Sequence, residues 1–120
     1  MSNPTTSERT DPPLVITDDP VLAEIARRLV AAYQPERLYL FGSHARGDTG
    51  PDSDYDILVV MPDDAPRERR QGGVGYRALW DVGTAADIVV MRASYFDRML
   101  TAAASLPATV QREGRLLYAA

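Results

Sequence analysis

The chain has no cysteine. That excludes disulfide staples and thiol chemistry, and it is compatible with a reducing compartment. Lysine is absent too: all thirteen basic residues are arginine, a bias that fits genome composition better than function. Basic side chains are outnumbered by seventeen acidic ones, for a formal net charge of −4 and a pI near 4.9. A non-specific nucleic-acid binder carries a basic patch instead, so direct nucleic-acid binding is not expected. No apolar run approaches the roughly 18 residues that a membrane helix needs, and the N-terminus lacks a signal-peptide core. The expectation is a cytoplasmic protein with no membrane partner. Neither an internal repeat nor a second domain is visible.

What remains is the composition of an ordinary folded domain. With 120 residues, 45% of them hydrophobic and 25% charged, the chain can bury a core as one unit. Residues 1–17, rich in Ser, Thr, Pro and Asn, are expected to form a disordered tail, and the domain proper to occupy 18–120. Asp19-Pro20 is a helix start, with Asp19 as N-cap and Pro20 at the first helical position. Leu22, Ile25, Ala26, Leu29 and Tyr33 then recur at helical spacing until Gln34-Pro35 stops the helix. Residues 37–41 carry apolar side chains on both faces, which predicts a central strand. A second strand is predicted at 57–61 and a third at 86–91.

Between the last two, residues 67–81 are expected to be helical, with Val74, Arg77, Ala78 and Trp80 partly buried. Gly72, Gly73 and Gly75 weaken that helix, each costing up to about 1 kcal/mol against Ala, and leave room for a break or flexible segment. Ser94 is expected to cap a helix through Phe96, Met99 and Leu100. Ser105-Leu106-Pro107 should start another, ended by Gly114. Leu116 to Tyr118 would form a short closing strand. The sum is an α/β (α+β) domain with a mixed sheet and covering helices.

Chemistry concentrates in two stretches, Phe41-Gly42-Ser43-His44-Ala45-Arg46-Gly47-Asp48 and Ser53-Asp54-Tyr55-Asp56-Ile57. A strand runs into the Gly42-Ser43 turn, where glycine lets backbone approach a ligand and turn N–H groups attract phosphate. Ser43 adds a hydroxyl. In a strand, residues i and i+2 share a face about 6.6 Å apart, at about 3.3 Å per residue. Asp54 and Asp56 therefore project together, and a shared cation relieves their repulsion. Mg²⁺ suits carboxylate and phosphate oxygens. Arg46 either aids phosphate or fixes the loop through Asp48 or a carbonyl, with the structural role favoured. His44 is read as solvent-facing or loop-packing, and Asp48 and Asp52 as solvated loop carboxylates.

Competing readings are weaker. Asp52-Ser53-Asp54-Tyr55-Asp56 imitates an EF-hand start, but that loop needs Gly at position six and Glu at twelve, where this chain has Ile57 and Asp63. Gly73-Val74-Gly75-Tyr76-Arg77-Ala78 spells a dinucleotide fingerprint without the strand that must precede it. An isolated D-x-D would by default cap a strand at a solvated turn.

G-S-x-A-R-G-D followed by S-D-x-D and an apolar run resembles the signature of DNA-polymerase-β-like nucleotidyltransferases, in their minimal (MNT-type) branch. The resemblance runs over residues 37–91, and Arg112 to Tyr118 is similar to the family's usual close. It implies the nucleotidyltransferase fold and a third aspartate on a neighbouring strand, a slot that Asp87 fits. It further implies that Asp54, Asp56 and Asp87 hold two Mg²⁺ ions and that Asp87 helps deprotonate the acceptor hydroxyl. Gly42, Ser43 and Arg46 would then bind the phosphates of ATP. Larger relatives carry an extra helical domain for the acceptor, for which 120 residues leave no room. Minimal members are commonly paired with a HEPN-type ribonuclease toxin and act as its antitoxin by transferring AMP to a toxin tyrosine. A transferase acting on a small molecule such as an aminoglycoside, and an antitoxin that neutralises by contact alone, remain alternatives.

Overall fold

The computed structural model describes residues 14–48 and 54–120. The turn at Gly50-Pro51, with Asp52 and Ser53, lies outside the described residues, as do residues 1–13 of the expected tail. Of its remainder, Val15 packs against the core and the Ile16 amide donates to the Leu117 carbonyl at 2.7 Å.

Helix α1 (Pro20–Tyr33) starts as its sequence dictates: the Asp19 carboxylate accepts from the amides of Val21 and Leu22 at 2.9 and 3.2 Å. Two of the N–H groups that a helix start leaves unsatisfied are thereby paired. Strand β1 (Arg37–Phe41) follows, then a short helix α2 (Gly42–Arg46) where a turn and loop were expected. Gly47, at φ +82°, closes α2 by donating to the Ser43 carbonyl at 2.9 Å, a left-handed cap suited to glycine. Strands β2 (Tyr55–Met61), β3 (Ala86–Arg92) and β4 (Arg115–Ala119) complete a four-stranded sheet in the order β3-β2-β1-β4. The β2–β3 pairing is parallel, and the pairings of β1 with β2 and with β4 are antiparallel. The fold is thus α+β with a mixed sheet, and β1 lies inside it as its two-sided apolar pattern requires.

Both faces of the sheet are covered, and strand alternation decides what each residue meets. Tyr55, Ile57, Val59 and Met61 of β2 join Leu38, Leu40 and Ile88 beneath α1. The alternate series, Leu58 and Val60, packs with Phe96 and Val110 from helices α4 (Ala93–Met99) and α5 (Leu106–Glu113). Val89 and Met91 of β3 lie against that second cluster. Extending both series backwards along the parallel pair puts Asp56 and Asp87 on the face that α4 and α5 cover further along.

Three local expectations are corrected. The helix expected over 67–81 is a 3₁₀ turn, Arg67–Arg70, followed by helix α3 (Gly72–Ala78), with Gln71 extended between them. The break is held by Tyr33, whose buried hydroxyl donates to the Gln71 carbonyl at 2.7 Å and accepts from the Gly75 amide at 2.9 Å. Within this segment Gly75 and Leu79 are buried, whereas Arg77 is exposed and Trp80 is 88% exposed. Ser94 does not cap α4; its amide instead donates to Asp63 Oδ1 at 3.0 Å, so a distant loop caps that helix. Gly114 ends α5 as expected, although at φ −81° it is not left-handed. Glycine fits there because a β-carbon would lie 2.6 Å from the Val110 carbonyl oxygen and 2.9 Å from that of Leu40.

Candidate active site

Three elements converge on Asp56. Its strand β2 lies between β1 and β3, so Asp56 pairs in register with Phe41 on one side and Asp87 on the other. Asp54 stands exposed just before β2. Directly after Phe41 the chain turns into α2 through Gly42, at φ +74°. The turn presses this residue onto Asp56: a β-carbon at position 42 would lie 2.1 Å from Asp56 Oδ2. Glycine is required here for two reasons, a left-handed backbone and the absence of room for any side chain.

The electrostatics follow from that packing. Burial and the nearby charges of Asp87 and Asp54 raise the Asp56 carboxyl above its ordinary range, while His44 and Arg46 pull in the other direction. A carboxylate crowded by like charges is poised to accept a cation or a proton. Among the described residues, no group of three His, Cys, Asp or Glu side chains stands close enough to hold a metal ion by itself. Mg²⁺ generally takes one or two carboxylates together with substrate phosphates and water, not an all-protein cage. The in-register Asp56 and Asp87, with Asp54 adjacent, offer the hard oxygen donors that such an ion uses, so these residues fit it.

The sequence-predicted residues thus fall into two groups. Gly42, Asp56 and Asp87 are brought together by strand register, and Asp54 acts on Asp56 through its charge. Ser43 lies in the first turn of α2, next to Gly42. Arg46 is turned to Asp48, its Nε 3.2 Å from Oδ2, an exposed pair on the loop as its structural reading has it. Its charge still reaches Asp56.

Behind the carboxylates runs a chain of contacts that the motif alone does not disclose. Tyr55 lies between Asp54 and Asp56 in sequence but faces the opposite side of the sheet. Its hydroxyl donates to Asp19 Oδ2 at 2.6 Å, and its ring stacks on His44 with centroids 4.0 Å apart. Burial and the Asp19 carboxylate push the Tyr55 phenol up to about 12. The same hydrogen bond holds Asp19 below its ordinary value. His44 therefore packs within the loop, and the N-cap of α1 is tied to the strand that carries Asp56. The alternation D-Y-D is the only sequence signal for this arrangement.

Comparison with known proteins places the chain in a family. Residues 22–112 match the nucleotidyltransferase domain family, and the chain belongs to it. Over 54 residues it is 43% identical to the bifunctional uridylyltransferase/uridylyl-removing enzyme of Psychrobacter sp. (strain PRwf-1). That stretch is 44% of this chain and 6% of the enzyme, so the chain spans a small fraction of that relative's length. Among solved structures, a Sulfolobus solfataricus protein assigned as a nucleotidyltransferase superposes with a TM-score of 0.50 at 28% identity. The superposition covers 65% of this chain and 69% of that one. A chain of a toxin–antitoxin complex crystallised with AMP-PNP superposes with a TM-score of 0.54 over 82% of this chain and 73% of its own length. At 20% identity that likeness is one of fold.

Proposed function

We propose that this protein is an Mg²⁺-dependent nucleotidyltransferase that moves AMP from ATP to a hydroxyl, most simply a tyrosine, of a HEPN-type toxin partner, and so acts as an antitoxin. The observation that carries the transfer chemistry is the in-register pair Asp56–Asp87 with Gly42 packed onto Asp56. Membership of the nucleotidyltransferase domain family supports it. The partner class draws support from the fold shared with a toxin–antitoxin chain solved with AMP-PNP and from the MNT-type motif.

Asp54, Asp56 and Asp87 would hold the metal, which when bound screens the triphosphate and the charge that develops in phosphoryl transfer. Gly42 and Ser43, at the start of α2, would bind the phosphate oxygens, with the metal screening them from Asp56. Asp87 would take the proton of an incoming hydroxyl, a role that its exposure on the edge strand supports. The hydroxyl oxygen bonds to the α-phosphorus as the bond to the pyrophosphate oxygen breaks, and pyrophosphate leaves. ATP labelled in its α-phosphate, incubated with Mg²⁺, this protein and a HEPN-type toxin, should label that partner. A labelled aminoglycoside with an unlabelled partner would favour the small-molecule alternative.

A further inference from the structure

Trp80 is 88% exposed and Tyr76 is 48% exposed, unusual for large aromatic side chains on a small domain. Both line a cavity of about 320 Å³ whose other walls include Asp54, Thr84 and Asp87. That volume lies at the lower end of the roughly 300–1,000 Å³ typical of small-molecule sites. Tyr76 is fixed in place because its hydroxyl accepts from the Ile88 amide at 3.3 Å, on the outer edge of β3. The cavity therefore sits at the sheet edge, beside the carboxylates.

The order of parts across the sheet gives this cavity a role, which rests on the transfer reading above. Gly42 touches Asp56 from the β1 side, and Asp87 flanks it on the β3 side, with the cavity beyond. In an in-line displacement the attacking and leaving oxygens stand on opposite sides of the phosphorus. Phosphates held at Gly42 and Ser43 leave toward α2. The attacking hydroxyl must then arrive from the Asp87 side, through the cavity.

We propose that this cavity is the acceptor port, and that it takes a phenol-bearing side chain presented on a basic surface of a partner protein. Trp80 and Tyr76 offer flat rings against which an aromatic acceptor stacks. The chain's net charge of −4, and the faces of the two exposed rings, favour basic residues on either side of it. An exposed tryptophan beside a cavity is also the residue type most often found anchoring protein interfaces. Trp80 is in this view a positioning residue, and Asp87 receives the phenol proton as the new oxygen–phosphorus bond forms and pyrophosphate departs.

Trp80 is the only tryptophan in the chain, so its emission reports directly on the cavity. The probes are amidated arginyl-tyrosyl-arginine, its glutamyl-tyrosyl-glutamate counterpart, an aminoglycoside, and ATP with Mg²⁺, each titrated alone. The basic tyrosine peptide should shift the emission saturably, the acidic peptide and the aminoglycoside should not, and prior saturation with ATP and Mg²⁺ should leave the peptide's response in place. With ATP and Mg²⁺ present, Trp80→Ala should raise the KM for AMP transfer to that peptide at least tenfold. ATP affinity, read by calorimetry, should stay unchanged, and Trp80→Phe should restore most of the loss. Displacement of the peptide by ATP with Mg²⁺ would overturn the inference and make the cavity a nucleobase site. An aminoglycoside response without a peptide response, or an unchanged peptide KM in Trp80→Ala, would also overturn it. Failure of ATP to bind at all would remove the transfer reading, and this inference with it.

Discussion

Gly42 and Asp56 are packed so closely that a β-carbon on residue 42 would lie 2.1 Å from Asp56 Oδ2 and 3.0 Å from its Cγ. The loop after β1 and the first residues of β2 therefore form one mechanical unit. Gly42→Ala forces the carboxylate aside and places a side chain at φ +74°. The backbone strain costs about 1–2 kcal/mol, visible in urea unfolding. Transfer should fall at least a hundredfold because Asp56 moves. Wild-type activity in Gly42→Ala would show that Asp56 tolerates displacement.

Crowding of Asp56 gives a pH-dependent stability with a definite sign. Its folded carboxyl titrates above the ordinary value of 3.8. Its contribution is therefore fully present below that value and is lost as pH rises through the raised folded value. Asp56→Asn removes the charge, so at pH 7 the variant should melt no lower than wild type in metal-free buffer. Its advantage should shrink on acidification toward pH 3.8. A variant clearly less stable than wild type at pH 7 would show that Asp56 is a structural anion.

Tyr55→Phe deletes the hydroxyl that donates to Asp19 at 2.6 Å. Hydrogen bonds to charged groups are worth about 1.5–3 kcal/mol, and because the site is only partly buried the loss should lie near the lower end. Asp19 is held below its ordinary value, so its contribution is present above 3.8 and lost as pH falls through the folded value. The wild-type advantage over Tyr55→Phe should therefore be largest at neutral pH and fade in acid. Equal stabilities at pH 7 would mean that the bond adds nothing to the fold.

Gly75→Ala separates helix propensity from packing. Propensity alone makes Ala stabilising by up to about 1 kcal/mol. The structure opposes this: the new β-carbon would lie 2.6 Å from Ile88 Cδ1 and 3.0 Å from the Tyr33 hydroxyl. Overpacking typically costs about 1–3 kcal/mol, so chemical denaturation should find Gly75→Ala destabilised. A stabilised variant would contradict the tight Tyr33–Gly75 junction.

That junction also shows where the sequence was legible and where it was not. Strand β1, the N-cap of α1 and the Ser105 start of α5 are local matters of spacing and capping, and each lies where its residues predict. Asp56 takes its face by strand alternation, whereas Asp54 stands just before β2 and not in the strand that its spacing suggested. The break at Gln71, the exposure of Trp80 and the loop cap on α4 depend on contacts between residues far apart in sequence, such as Tyr33 with Gly75 and Asp63 with Ser94. Gly72, Gly73 and Gly75 read locally as helix weakeners; only the neighbouring Tyr33 shows why a glycine must stand at 75. Similarly, Gly42 read as room for phosphate, whereas its first neighbour is the Asp56 carboxylate.

The central claim is that the Asp56–Asp87 pair binds a nucleoside triphosphate through Mg²⁺, and calorimetric titration with ATP tests it most directly. Wild-type protein should bind ATP saturably with Mg²⁺ and lose that binding in EDTA. Asp56→Asn and Asp87→Asn should each weaken it at least tenfold with the fold intact by circular dichroism. ATP binding that is indifferent to Mg²⁺ and to both substitutions would contradict the account.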